Sequence, residues 1–239
     1  MSLTKAKLLN KALRLKLKRR DLPRQARANL GALDHLEASR RARNFSYAVM
    51  DLETTGLSIE TDRVVSVAAV RVQNGQIFLG DTFTELVNPG RSIPAESIKI
   101  HGIKPDQVAG ARHAAAVFQD FLDWLGSDIL VAHYAEFDLH FTNITMQSLY
   151  GFNLQNLVID LVRMCQGVVL PNDPYGINRH KRKCGLDELV ERYGLSRAER
   201  HTAAGDALVS ALIFQRMLAQ LENMGPGRLK DLMRVGMLF

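Results

Sequence analysis

Apolar residues recur with two different periods along this chain, and the change of period divides it. Between positions 46 and 87 three runs, 46–51, 63–72 and 77–87, are rich in β-branched and aromatic residues, the middle one carrying Val64, Val65, Val67, Val70 and Val72; each predicts a strand. Asn74-Gly75 between the second and third runs is a strong hairpin signal, so those strands pair antiparallel. Asn88-Pro89-Gly90 then breaks the pattern. From position 114 onward the period is that of a helix: Val117, Phe118, Phe121, Leu122 and Leu125 share one face and predict a helix over 114–125. Short apolar strands follow at 129–132 and 157–160, with helices expected over 138–149, 161–168, 186–193 and 203–221. Residues 171–183 read as a polar, basic loop, and Gly225-Pro226-Gly227 closes the last helix.

This order predicts an α/β domain over 46–222. Three antiparallel strands come first, helix-linked parallel strands follow in the same mixed sheet, and helices flank both faces. Residues 223–239 form a short C-terminal tail. Ahead of the domain, Leu9, Leu13 and Leu17 fall at i, i+4, i+8, and Leu8 and Leu15 at i, i+7, which predicts a basic amphipathic helix ending near Pro23. A second helix is expected over 24–43. Residues 1–45 therefore read as a helical N-terminal extension.

Composition changes this picture little. The 239 residues are 46% hydrophobic and 23% charged, which suits a folded globule and excludes wholesale disorder. There is no apolar run long enough to span a membrane and no secretory leader pattern, so a cytoplasmic location is expected. With only Cys165 and Cys184 present, a disulfide framework is not expected, and the two read as incidental thiols in a reducing compartment. Charge is more informative. The net +6 is uneven: residues 1–45 hold 13 Lys and Arg against Asp21, Asp34 and Glu37, so the extension is +10 and the remainder −4. A basic arm on an acidic body suits contact with a polyanion, a membrane surface or a partner protein, or simply a packed helix with a solvated face.

Candidate chemistry begins with Asp51-Leu52-Glu53-Thr54-Thr55-Gly56, which follows the apolar run Tyr47-Ala48-Val49-Met50. In a strand, residues i and i+2 point to one face, so Asp51 and Glu53 aim two carboxylates at one spot. Such a pair repels unless a cation lies between the two, and a hard divalent ion takes oxygen ligands. Asp138 stands where a helix opens after His133-Tyr134-Ala135-Glu136-Phe137. Taken alone it is an ordinary N-terminal helix acid. Asp206 lies among small residues in His201-Thr202-Ala203-Ala204-Gly205-Asp206-Ala207, and His201 taken alone is a surface loop histidine.

Together, Asp51, Glu53, Asp138, Asp206 and His201 resemble the DEDDh family of 3′→5′ exonucleases, the group of DNA polymerase proofreading subunits (polymerase III epsilon among them), ribonuclease T and oligoribonuclease. Residues 51–57 resemble the family's first motif, 133–141 the second and 201–207 the third, while Ile100-His101-Gly102-Ile103 resembles a further segment. The resemblance covers about residues 46–221. Tyr134 stands where the family usually has Asn, and Ala204 where Leu is common; neither departure removes an acid.

The resemblance implies a ribonuclease-H-like fold, an exonuclease domain over 46–222, and hydrolysis from the 3′ end to nucleoside 5′-monophosphates by a two-metal mechanism. By carry-over Asp51, Glu53, Asp138 and Asp206 hold two Mg²⁺ or Mn²⁺, and His201 is the general base. Thr54, Thr55, Gly56, Leu57 and Tyr134 contact the substrate. His101 shapes the site, and Asp160 is a structural acid. The partner implied is nucleic acid, single-stranded or the 3′ end of DNA, with RNA as an alternative. Two further readings are a catalytically weak nucleic-acid-binding module and a polymerase-associated subunit docked through residues 1–45 or the C-terminal tail.

Overall fold

A computed structural model describes residues 2–169, 184–198 and 200–238; the loop expected at 171–183 lies outside them. The N-terminal extension forms α1 (Leu3–Leu17) and α2 (Arg24–Asn29). Strands β1 (Ser46–Thr54), β2 (Val64–Gln73) and β3 (Gln76–Asn88) follow. Next come two short helices, α3 (Ala95–His101) and α4 (Pro105–Ala109), the two-residue strand β4 (Arg112–His113) and helix α5 (Ala114–Leu125). The chain continues through β5 (Ile129–Ala132), α6 (Ala135–Tyr150), β6 (Val158–Asp160) and α7 (Leu161–Met164), then through α8 (Leu186–Tyr193), α9 (Ala203–Asn223) and α10 (Leu229–Gly236).

The sheet has the order β4-β3-β2-β1-β5-β6. β1 pairs antiparallel with β2, and β2 with β3 across Asn74-Gly75, where Asn74 takes positive φ as a tight turn demands. β1, β5 and β6 run parallel. This is the mixed sheet the sequence predicts.

β1 is central and covered on both faces, which explains its unbroken apolar run. Tyr47 and Val49 point toward α9, with the Tyr47 and Phe214 rings 4.7 Å apart. Ala48, Met50 and Leu52 point the other way, into a cluster with Val117, Phe118 and Phe121 of α5 and Phe141 of α6. Each large apolar side chain buried in these clusters is worth roughly 1.5–3 kcal/mol. Alternation along the strand continues past the apolar run, so Asp51 and Glu53 emerge on the α9 face.

The N-terminal extension and the C-terminal segment are both built into this body. α1 buries Leu3, Ala6, Asn10 and Leu17. The helix expected over 24–43 is six residues long: beyond Asn29 the chain turns, so that Leu30, Ala32, Leu33 and Leu36 all reach the core. The Asn29 amide donates to Asn156 Oδ1 at 2.5 Å, and its Oδ1 accepts from the Gln155 N–H at 3.0 Å. The C-terminal segment buries Leu229, Leu232 and Met233, and the Leu238 N–H donates to the Val158 carbonyl, covering the edge of β6. It also meets the extension directly, the Ala42 N–H donating to the Gly227 carbonyl and the Leu229 N–H to the Arg40 carbonyl, both at 2.8 Å.

Two further expectations are corrected. The helix expected over 161–168 gives way after Met164 to a wider π turn, Cys165–Val169. The cysteines are not free thiols: Cys165 and Cys184, both fully buried, are joined by a disulfide with their Cα atoms 5.9 Å apart. Folding brings the π turn against the start of α8, a proximity that a separation of 19 residues does not reveal.

Candidate active site

The sheet ends in a cluster of carboxylates. β1 extends to Thr54, with a register irregularity between Glu53 and Thr54, so both acids of the first motif lie on the strand. α9 opens beside them, its N-terminus capped by the Thr202 hydroxyl, which accepts from the Gly205 N–H at 3.0 Å. Capping fixes the first turn and with it Asp206. One oxygen from each of Asp51, Glu53 and Asp206 lies within 4.8 Å of the others. Asp138 comes from α6, whose start at Ala135 places this acid in the first turn. Its Oδ1 accepts from the Leu52 N–H at 3.1 Å, which holds it against the backbone between Asp51 and Glu53.

The electrostatics show how crowded this cluster is. Burial and then the charges of Asp138, Asp206 and Glu53 push Asp51 well above the carboxylate range. Burial and Asp206 raise Glu53 to about 7. Burial raises Asp138 to about 8, against the opposing pull of its backbone hydrogen bonds. A cation would reverse each of these shifts. An all-oxygen carboxylate set suits Mg²⁺ or Mn²⁺, and the acids present fit such ions.

The charge that does reach the cluster was not foreseen from the sequence. The Arg200 guanidinium, nearly buried, donates to Asp206 Oδ1 and also binds Asp187 of α8 at 3.1 Å. Its signal was present: acids this close require a cation, and Arg200 directly precedes His201. His201 occupies an exposed turn at φ 63°, its backbone N–H 3.3 Å from Asp206 Oδ1.

The residues after β1 divide by exposure. The Thr54 hydroxyl donates to the Gly56 carbonyl at 2.6 Å. Thr55 is fully buried and donates to Asp62 Oδ1 at 2.8 Å, while Asp62 Oδ2 accepts from the Ser58 N–H at 2.9 Å. A Cβ on Gly56 would lie 2.5 Å from Asp62 Oδ2, so a larger residue here would have to displace the Asp62 carboxylate from its hydrogen bonds. Asp62, which the sequence reading passed over, thus organises this turn. Leu57 is 86% exposed, and Tyr134, in the left-handed region at φ 57°, is also open to solvent.

The other residues singled out are structural in their contacts. His133 Nε2 lies 2.7 Å from the Cys184 carbonyl. The Asp160 carboxylate caps α7 through the Val162 and Arg163 N–H groups. His101 is buried, with Nδ1 accepting from the Ile103 N–H.

A family model described as "Exonuclease" (RNase_T) matches residues 48–214, and the chain belongs to this family of nucleases. Among its relatives, it is 39% identical over 183 residues to a DNA polymerase III subunit epsilon-like protein of Rhodobacter capsulatus, covering 75% of this chain and 25% of that protein. It is 30% identical over 189 residues to a PolC-type DNA polymerase III of Thermotoga petrophila, covering 79% of this chain but 13% of that protein. The chain thus spans a quarter or less of the length of these two relatives. Among solved structures, the nuclease domain of 3′hExo, a DEDDh family member bound to rAMP, superposes with a TM-score of 0.63 at 20% identity, covering 79% of this chain and 96% of that one. Exonuclease X in complex with 5′-overhanging duplex DNA gives a TM-score of 0.57 at 20% identity, covering 79% and 98%. The fold is that of the ribonuclease-H-like DEDDh exonucleases.

Proposed function

We propose that this chain is a metal-dependent 3′→5′ exonuclease acting on DNA and releasing nucleoside 5′-monophosphates. The carrying observation is the convergence of Asp51, Glu53 and Asp206 oxygens within 4.8 Å, with Asp138 fixed to the backbone beside them. In this reading the four acids hold two Mg²⁺ or Mn²⁺. Bound there, divalent ions would supply an acidified water and offset charge on the phosphate and the leaving 3′ oxygen. His201, on its open turn next to Asp206, takes the proton of the attacking water at an imidazole nitrogen. Leu57 and Tyr134, both exposed and each four positions along the chain from an acid of the cluster, pack against the terminal nucleotide, and Thr54, Thr55 and Gly56 hold the turn that presents Leu57. DNA is favoured by the polymerase III names of the two relatives.

The test is product analysis. Single-stranded DNA incubated with Mg²⁺ should yield 5′-monophosphates, none in excess chelator, and again on adding Mn²⁺. Release of 3′-monophosphates, or hydrolysis indifferent to chelator, would overturn the reading. A second reading, a proofreading partner of a polymerase, is supported by the same relatives. Copurification with a polymerase would establish it.

A further inference from the structure

α1 is apolar on two sides. One side, Leu3, Ala6, Asn10 and Leu17, packs on the body. The opposite side carries Leu8, Ala12 and Leu15, at i, i+4 and i+7, with Leu8 63% and Leu15 66% exposed. Seven residues return a helix to within about 20° of the same direction, so Leu8 and Leu15 stand in one row. Lys11 flanks the row on one side, and Lys5 and Lys16 on the other. All three lysines are exposed, and none makes an ion pair among the described residues. Leu9, also exposed, lies beyond Lys5 and Lys16 and borders a pocket of about 230 Å³ lined by Leu139 and Leu154 together with the polar Asn10, Gln155 and Asn156. An apolar row framed by cations, with a mixed pocket beside it, exceeds what a merely solvated helix face needs.

Its position discriminates between occupants. Asn10 donates to Gln155, just before β6, so α1 lies at the beginning of the parallel strands. Asp51 and Glu53 close β1, and Asp160 closes β6, at the other end. A strand cut in the acid cluster is therefore not gripped at this face. Phosphates recruit cations but leave a leucine row uncovered. A second copy of α1 would set like charges against Lys5, Lys11 and Lys16.

We propose that the outer face of α1 docks an acidic segment of a partner protein. The segment presents apolar side chains to Leu8, Ala12 and Leu15, anchors one in the adjoining cavity, and sets carboxylates against Lys5, Lys11 and Lys16. The face is remote from the carboxylate cluster, so docking and hydrolysis succeed or fail separately.

The experiment uses the full chain and a fluorescein-labelled helical peptide with leucines at i, i+4 and i+7 flanked by glutamates. Its partner control keeps the leucines and replaces each glutamate by lysine. Fluorescence anisotropy should show binding of the acidic peptide and none of the lysine peptide. L8S/L15S should weaken binding at least tenfold, with circular dichroism and nuclease activity unchanged. K5E/K11E/K16E should exchange the preference, binding the lysine peptide instead. The proposal is overturned if the acidic peptide fails to bind, or binds L8S/L15S as tightly as the parent. It is equally overturned if phosphatidylglycerol vesicles or single-stranded DNA are bound through these leucines in preference to the peptide, or if sedimentation shows a dimer that L8S/L15S dissolves.

Discussion

Arg200 and Asp206 form a nearly buried ion pair at the centre of the carboxylate cluster, and Arg200 is held there by a second acid, Asp187. Arg200 thereby joins α8 to α9 and sets a positive charge beside Asp51, Glu53 and Asp206. Removing one partner of a buried pair leaves the other uncompensated. Arg200→Gln is therefore expected to lower unfolding free energy by about 3 kcal/mol in chelator at neutral pH. Mn²⁺ should restore more stability to this variant than to the parent, because the ion no longer competes with a guanidinium for Asp206. Denaturant unfolding with and without Mn²⁺ measures both.

The raised carboxylates make the metal-free protein sensitive to pH. Each binds its proton more tightly folded than unfolded: Glu53 moves from 4.5 to about 7 and Asp138 from 3.8 to about 8, with Asp51 shifted the same way. Stability from these groups is complete below about pH 4 and is lost as pH rises through 7 and 8. In chelator the unfolding midpoint should fall between pH 5 and 8. Saturating Mg²⁺ or Mn²⁺ should flatten that slope. An equal slope with metal present would contradict the assignment of the acids as ligands.

The turn after β1 gives a local test of packing. Gly56→Ala sets a methyl 2.5 Å from the Asp62 carboxylate and should cost about 1–3 kcal/mol through overpacking. Asp62→Ala removes the acceptor of the Thr55 hydroxyl and the Ser58 N–H and should also destabilise. The double variant should be less damaged than the sum, with a coupling of about 1 kcal/mol in a double-mutant cycle.

The Cys165–Cys184 disulfide closes a loop of about twenty residues, for which chain-entropy reasoning gives about 3 kcal/mol. Thermal unfolding of the C165S/C184S variant should show that loss. The His133 contact to the Cys184 backbone carbonyl does not depend on the thiol, so activity measured well below the unfolding midpoint should be largely retained. Peptide mapping without reductant should recover the linked pair.

Much of this architecture is legible in the sequence because it rests on short-range periodicity. The three leading strands, the Asn74-Gly75 hairpin, the helix at Ala114–Leu125 and the strand at Ile129–Ala132 follow from side-chain alternation and spacing alone. The pairing of Asp51 with Glu53 follows from the same alternation. What escaped the sequence depends on distant contacts. The segment 30–36 abandons helix because its leucines reach the core by turning. The disulfide depends on a π turn meeting α8, Asp62 gains meaning only from the groups it faces, and Arg200, although it adjoins His201 in sequence, reveals its pairing with Asp206 and Asp187 only in the fold. α3, α4 and β4 are too short to leave a periodic signature.

We propose that the acid cluster cleaves phosphodiesters from a 3′ end. This is tested most directly by digesting a 5′-labelled single-stranded oligonucleotide in Mg²⁺ with the parent protein and with Asp206→Ala. The parent should produce a ladder shortening one nucleotide at a time from the 3′ end, and Asp206→Ala should leave the full-length strand intact while still binding it. Immediate release of the 5′ label as a mononucleotide, internal cuts, or an undiminished ladder from Asp206→Ala would rule out 3′→5′ hydrolysis by these acids.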